Sequence, residues 1–263
     1  MKIVVLLKQT PDTESKIAIS ADGSKIETVG LKSIINPYDE YAIEEALKLK
    51  EKAGAGEVVI ASFGTDAAKE LIVKALAMGA DRGLLISNEG LDGADSLVIA
   101  KVLAAAVKVE NADLVFAGKQ AIDDDNMHVA VMVAELLHWP HVNVVDKLIL
   151  NGKTATVERE VEGGQVEVYE VQLPAVLGAN KALNTPRYAS LPGIMKAKKK
   201  PFDVKKPGDF GLDITALKGA IKTVIKGFTP PPEKPAGKVF KGEDLTVMVE
   251  KVVKLLREEA KVI

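Results

Sequence analysis

The strongest constraint on this chain is the rhythm of its first 117 residues, where short apolar runs alternate with longer segments whose apolar residues form one stripe. Residues 3–7, 58–62, 83–86 and 114–117 are runs of strand length without polar alternation, as expected of strands buried on both faces. Between them, Ala68, Leu71, Ile72, Ala75 and Leu76 recur at helical spacing, and Ile99, Val102, Leu103, Ala106 and Val107 do the same. Strand and helix in alternation predict βαβ units, hence an α/β fold with a doubly wound, mostly parallel sheet of flavodoxin or Rossmann type.

Composition limits what such a sheet can serve. Aromatic residues are only 4% of the 263, so small and branched aliphatics must fill the core. A formal net charge of −2 offers no basic excess to recruit nucleic acid or an anionic membrane. The chain has no cysteine, which excludes disulfides, thiolate metal sites and cysteine nucleophiles, so any redox role must use a bound cofactor. His138 and His141 are three apart, but Pro140 lies between them and no third ligand is evident, so no metal site is expected. No Ser-His-Asp set or glycosidase carboxylate pair stands out, and no catalytic residue is assigned. Without a membrane-length apolar window or an apolar leader, the protein is expected to be soluble and cytoplasmic.

Other elements follow from local chemistry. Residues 16–20 and 25–28 flank the turn signal Ala21-Asp22-Gly23 and predict a short hairpin. Asn36-Pro37 opens a helix as N-cap and first helical position, with Asp39 and Glu40 at its positive end. Residues 154–158 and 166–173 alternate around Gly163-Gly164 as an antiparallel hairpin added to the sheet. A polar connection holding Pro230, Pro231, Pro232 and Pro235 leads to residues 243–261, where Leu245, Met248, Val249, Val252, Val253 and Leu256 make a helical apolar stripe. Such an arm grips another subunit or folds back on its own sheet.

Two regions carry candidate function. In open α/β sheets ligands bind beyond the carboxyl ends of strands. Three such ends are chemically suited: Asn36-Pro37-Tyr38-Asp39, Ser62-Phe63-Gly64-Thr65-Asp66, and the run from Gly118 to Asp125. Gly118 permits close backbone approach, and free N–H groups opening a helix over 126–138 can hold an anion. The acids repel phosphate, so ribose contact or backbone bracing suits Asp123 and Asp125 better. Lys119 either approaches a phosphate or is merely solvated. The second region is 183–200, where Leu191, Pro192, Ile194 and Met195 adjoin Lys196, Lys198, Lys199 and Lys200. Pro186, Pro192 and Gly193 break helix and central strand, which predicts a loop, either a docking surface or a segment folded back on its domain.

The run from Gly118 to Asp125, the run from Ala75 to Gly83, Trp139-Pro140 and the 183–200 segment closely resemble the β (small) subunits of electron-transfer flavoproteins, and the likeness runs through nearly the whole chain. The resemblance implies an adenine-nucleotide site formed by Leu6, Asn36, Asp39, Phe63, Gly64, Thr65, Gly118, Gln120, Asp123, Asp125, Asn126, Met127, His128, Val129 and Ala130. Ordinary members hold AMP there as a structural ligand, and electron-bifurcating members hold a second FAD. Asp123-Asp124-Asp125 follows the AMP pattern, whereas the segments 8–13 and 33–37 look more like bifurcating relatives. His128-Val129-Ala130 stands where the family usually has Gln-Thr-Gly or Gln-Val-Gly, which removes a hydroxyl and adds a methyl near the anion. Near Thr13 the Tyr that ordinary members often place by the α-subunit flavin is absent. AMP is the expected ligand and FAD the alternative.

The resemblance further implies an α partner carrying the working FAD, and acyl-CoA or related flavin dehydrogenases as clients. Leu191, Pro192, Ile194, Met195 and Lys196 would meet the dehydrogenase, while Arg159 and Glu160 would face the mobile flavin domain of the α subunit. The expected organisation is a nucleotide-binding domain with hairpin over 1–183, a partner-recognition loop over 184–200, and an arm over 201–263 docking on the α subunit. The chain then acts as an electron-carrier subunit rather than an enzyme by itself. Two rival readings are an NADH-oxidising bifurcating subunit and a stand-alone adenine-nucleotide stress or sensor protein.

Overall fold

A computed structural model describes residues 1–233 and 236–263, so Pro235 of the proline-bearing connection lies outside the described residues. The chain forms two compact units, Met1–Gly227 and Phe228–Ile263. In the first, β1 (Lys2–Leu6), β2 (Gln9–Pro11) and β3 (Ser33–Ile35) precede α1 (Pro37–Ala53), β4 (Glu57–Gly64), α2 (Ala68–Met78), β5 (Arg82–Ser87) and α3 (Ser96–Glu110). Next come β6 (Leu114–Gly118), α4 (His128–Leu137), β7 (His141–Asn151), β8 (Thr154–Val161), β9 (Gln165–Gln172) and β10 (Ala175–Ala179). The unit closes with α5 (Leu191–Ala197), β11 (Phe202–Lys205) and α6 (Ile214–Gly219).

The nine-stranded sheet runs β11-β5-β4-β1-β6-β10-β7-β8-β9, with every pairing parallel except β7–β8 and β8–β9, so that β8 alone runs against the rest. Successive side chains of its central strands enter opposite cores. Ile3, Val5, Val58, Ile60, Leu114 and Phe116 pack with α1 and α2, while Val4, Leu6, Val59, Ala61, Val115 and Ala117 pack with α3 and α4. The expected doubly wound sheet is therefore present. Burial of these strands on both faces explains their unbroken hydrophobicity.

Several elements differ from the sequence expectation. Residues 16–20 and 25–28 form the turn, with Asp22 accepting from Ser20 Oγ at 2.6 Å and from Ser24 N at 3.0 Å, but the ladder shrinks to one bridge, Ile19 to Ile26. The helix expected from 126 begins at His128, after Met127 in left-handed backbone. Residues 191–197, expected as loop, form α5: Ser190 Oγ accepts from Gly193 N at 3.1 Å, and Pro192 is tolerated in the first turn, where its missing N–H costs nothing. Residues 202–205 add β11 to the sheet edge beside β5 and Leu217 of α6 is buried, so the compact unit extends to Gly227 and the extended arm starts beyond position 201. β11 has only four residues, too few to show a period.

The second unit ends in α7 (Leu245–Glu258), capped by Asp244, which accepts from Thr246 N at 2.9 Å. None of its residues is buried, and Leu245, Val249, Val252, Val253 and Leu256 lie exposed along one stripe.

Candidate nucleotide cleft and partner-recognition segment

After β1 the chain turns one way through α1 to β4, and β6 is reached from the opposite side through α3, so the sheet reverses its winding between β1 and β6. A cleft opens at the carboxyl ends of these strands, the place where such folds bind ligands. Leu6 lines it from β1 and Leu7 and Lys8 from just beyond that strand, Ala117 and Gly118 from β6, Phe63 from β4, and Ile99 and Leu103 from α3. Lys119, Gln120, Ala121, Asp124 and Asn126 form its rim, and Met127, His128, Val129 and Ala130 supply the opening of α4.

Asn36 and Asp39, at the start of α1, fix the rim from below. Asp39 is 4% exposed and its carboxylate accepts from Lys8 N at 2.7 Å, Gly118 N at 2.8 Å and Asn36 Nδ2 at 2.9 Å. Burial pushes the Asp39 carboxyl up to about 7, against the pull of these three donors. Asn36 Nδ2 also donates to Gln120 O at 2.8 Å, and Ile122 N donates to Asn36 Oδ1 at 3.3 Å. From the other side Asn143 Nδ2 donates to Lys119 O at 3.1 Å. Side chains from distant elements thus hold a loop that lacks regular structure.

Gly118 lines the cleft and also makes room behind it. A Cβ there would lie 2.5 Å from Asp39 Oδ1 and 2.6 Å from Tyr38 Cβ, so the missing side chain lets α1 close onto β6. Among the other expected site residues, Gly64 and Thr65 follow Phe63 but stay outside the cleft wall, as do Asp123 and Asp125. Asp123 bonds Lys8 Nζ at 2.7 Å, and Asp125, in left-handed backbone, accepts from Gln120 Nε2 at 2.5 Å. Asn126 Oδ1 accepts from His128 N at 3.3 Å, but the N-cap residue Met127 offers α4 no side-chain bond, which leaves the next backbone donors at the cleft. Lys119 sits over the Tyr38 ring, 5.0 Å from its centroid.

Lys8, not among the expected site residues, spans Asp123 and Asp124 with its ammonium at 2.7 and 2.9 Å. Burial works against its charge, but the hydrogen bonds to both acids outweigh that and raise its pKa. A cation directly after an apolar strand was the available signal. Ile99 and Leu103 gave none, since they read equally well as core.

The second candidate surface is α5 and its approach. Leu191 is 79% exposed and Met195 76%, with Ile194, Pro192 and Lys196 also exposed. The buried side of the helix is tightly seated: a Cβ on Gly193 would fall 2.3 Å from Ala77 O, and Ala197 is buried. Lys200 Nζ donates to Leu76 O at 2.8 Å and to Ala80 O at 2.5 Å, satisfying the end of α2. Upstream, Arg187 grips the buried Glu44 at 2.9 and 3.0 Å and Glu51 at 3.0 Å, and Asn184 Nδ2 donates to Glu45 at 2.9 Å. These anchors hold the segment to α1 and α2 with its apolar residues outward.

Arg159 and Glu160 lie apart from both surfaces, on β8. Arg159 Nε has no hydrogen-bond partner and lies 3.7 Å from Glu167, while Glu160 is exposed and its N donates to Asp146 Oδ2 at 3.1 Å. Among the described residues no helix is long and apolar enough to cross a membrane.

The open sheet, doubly wound and cleft at its switch point, defines an α/β protein of the class that binds ligands beyond its strand ends. The family description "Electron transfer flavoprotein domain" matches residues 24–209. The electron transfer flavoprotein subunit beta of Bacillus subtilis is 46% identical over 264 residues, covering 100% of each chain. Those of Bradyrhizobium diazoefficiens and Homo sapiens are 42% and 41% identical, covering 96% of this chain and 97% and 98% of theirs. The chain belongs to the electron transfer flavoprotein family, as a β subunit. That assignment implies an α-subunit partner.

Proposed function

We propose that this chain binds AMP as a structural ligand and docks flavin dehydrogenases of the acyl-CoA type, so that FAD on the α subunit can shuttle electrons. The observation that carries the proposal is the pairing, in one member of this family, of a cleft at the switch point with an outward apolar helix that is seated on α2 and preceded by a segment anchored to α1. The cleft residues fit the nucleotide: an apolar wall of Leu6, Phe63, Ile99 and Leu103 suits an adenine face, and the backbone donors of the first turn of α4 with Lys8 suit a phosphate. Bound there, AMP supplies no redox chemistry and braces the loop. FAD on the α subunit supplies the electron-accepting flavin.

In this reading Leu191 and Met195 enter a pocket of the dehydrogenase while Lys196 steers acidic partners. Burying one such side chain contributes roughly 1.5–3 kcal/mol, suited to a complex that must also dissociate. Arg159 and Glu160 face the α subunit, and α7 with its arm grips it.

Nucleotide extraction and flavin absorbance on the co-purified heterodimer test this. One flavin and one AMP per heterodimer are expected. Two flavins would replace the reading with the bifurcating one, and a stable homodimer without an α partner would replace it with a nucleotide sensor.

A further inference from the structure

Lys8 holds the acids at the cleft mouth. Asp123, Asp124 and Asp125 are consecutive and exposed, and the neighbouring cation Lys119 is turned onto the Tyr38 ring. Among the described residues only Lys8 is seated among the acids, bonded to Asp123 at 2.7 Å and to Asp124 at 2.9 Å, while its own N–H is fixed on Asp39 at 2.7 Å. The backbone of Lys8 is therefore anchored, but its half-exposed side chain has a flexible stem and can exchange one counter-ion for another. Without it, an entering phosphate meets the carboxylates and the backbone donors of α4 with no ammonium seated between them.

We propose that Lys8 is the specificity-determining residue of the cleft: its ammonium passes from the Asp123–Asp124 pair to the phosphate of an entering nucleoside monophosphate. This deepens, and rests on, the reading of the cleft as a nucleotide site. One lysine shared by two acids leaves the pair short of one positive charge. It can serve a single phosphate group, whereas each further phosphate adds negative charge that Asp123 and Asp124 oppose. The cleft thus prefers a mononucleotide to a nucleoside di- or triphosphate, and the preference resides in this charge arrangement.

The test uses the full chain with its α partner, stripped of nucleotide, and titrates AMP, ADP and adenosine by calorimetry. Wild type is expected to bind AMP more tightly than ADP or adenosine. Lys8→Met should weaken AMP by about 10- to 100-fold, the worth of one charged hydrogen bond, and leave adenosine unchanged. Lys8→Arg should retain AMP binding, and Asp124→Asn should narrow the gap between AMP and ADP. Equal loss of AMP and adenosine in Lys8→Met would make Lys8 a mere loop brace and overturn the proposal, as would unchanged AMP affinity. Failure of wild type to bind any of the three would remove the nucleotide reading itself, which distinguishes that failure from one confined to Lys8.

Discussion

Asp39 places a carboxylate where water barely reaches, and holds it with three N–H donors. Its folded value of about 7 lies above the ordinary 3.8, so the folded state holds the proton more tightly than the unfolded chain does. The stability it contributes is complete below about pH 4 and is lost as pH rises through about 7. Asp39→Asn should therefore be less stable than wild type at pH 5 by about 1–3 kcal/mol, because its amide cannot accept from all three donors. The gap should narrow toward pH 8. Urea midpoints across that range check it, and a gap that widens with pH contradicts it. Gly118→Ala should cost about 1–3 kcal/mol by forcing Tyr38 and Asp39 away from β6, read from the same unfolding curves. Asn36, Asp39 and Gly118 were legible in the sequence as a strand-end cluster. That Gly118 makes room for a helix was not, because sequence shows a missing Cβ without showing what fills its place.

At the scale of elements, α5 separates anchoring from presentation. Leu191→Ala should change stability by no more than about 0.5 kcal/mol, since the side chain is exposed, yet lower dehydrogenase-driven electron delivery by roughly tenfold or more. Gly193→Ala should cause a comparable loss with Leu191 intact, because the added methyl meets Ala77 O and lifts the helix. Unfolding midpoints measured beside electron-delivery rates distinguish the two effects. An unaltered rate in both variants would detach α5 from docking. The proline and glycine that argued for a loop here are compatible with one short helix, since Pro192 stands in the first turn and Ser190 caps it. In the same way β11 and β7 escaped notice: four residues are too few to show a period, and β7 carries a register shift with Val144 at φ 62° that breaks its alternation.

At the scale of the molecule, the sheet unit holds both hydrophobic cores, whereas α7 buries none of its residues within the chain. A chain ended at Gly227 should keep the cooperative unfolding of the sheet but lose association with the α subunit, as followed by calorimetry and co-purification. An undiminished complex would show that the arm is dispensable. The alternation of buried strands with striped helices was written in the sequence, because burial on two faces demands uninterrupted apolar runs and a helix on a sheet demands a 3.6-residue period. The absence of cysteine and the positions of the turn-forming residues were equally plain there. Tertiary structure alone decided that Lys8 lies between Asp123 and Asp124, 115 and 116 positions along the chain, and that Arg187 reaches Glu44. Charge pairs of this kind leave no period in a sequence; they exist only once packing of the apolar elements has brought distant strand ends together.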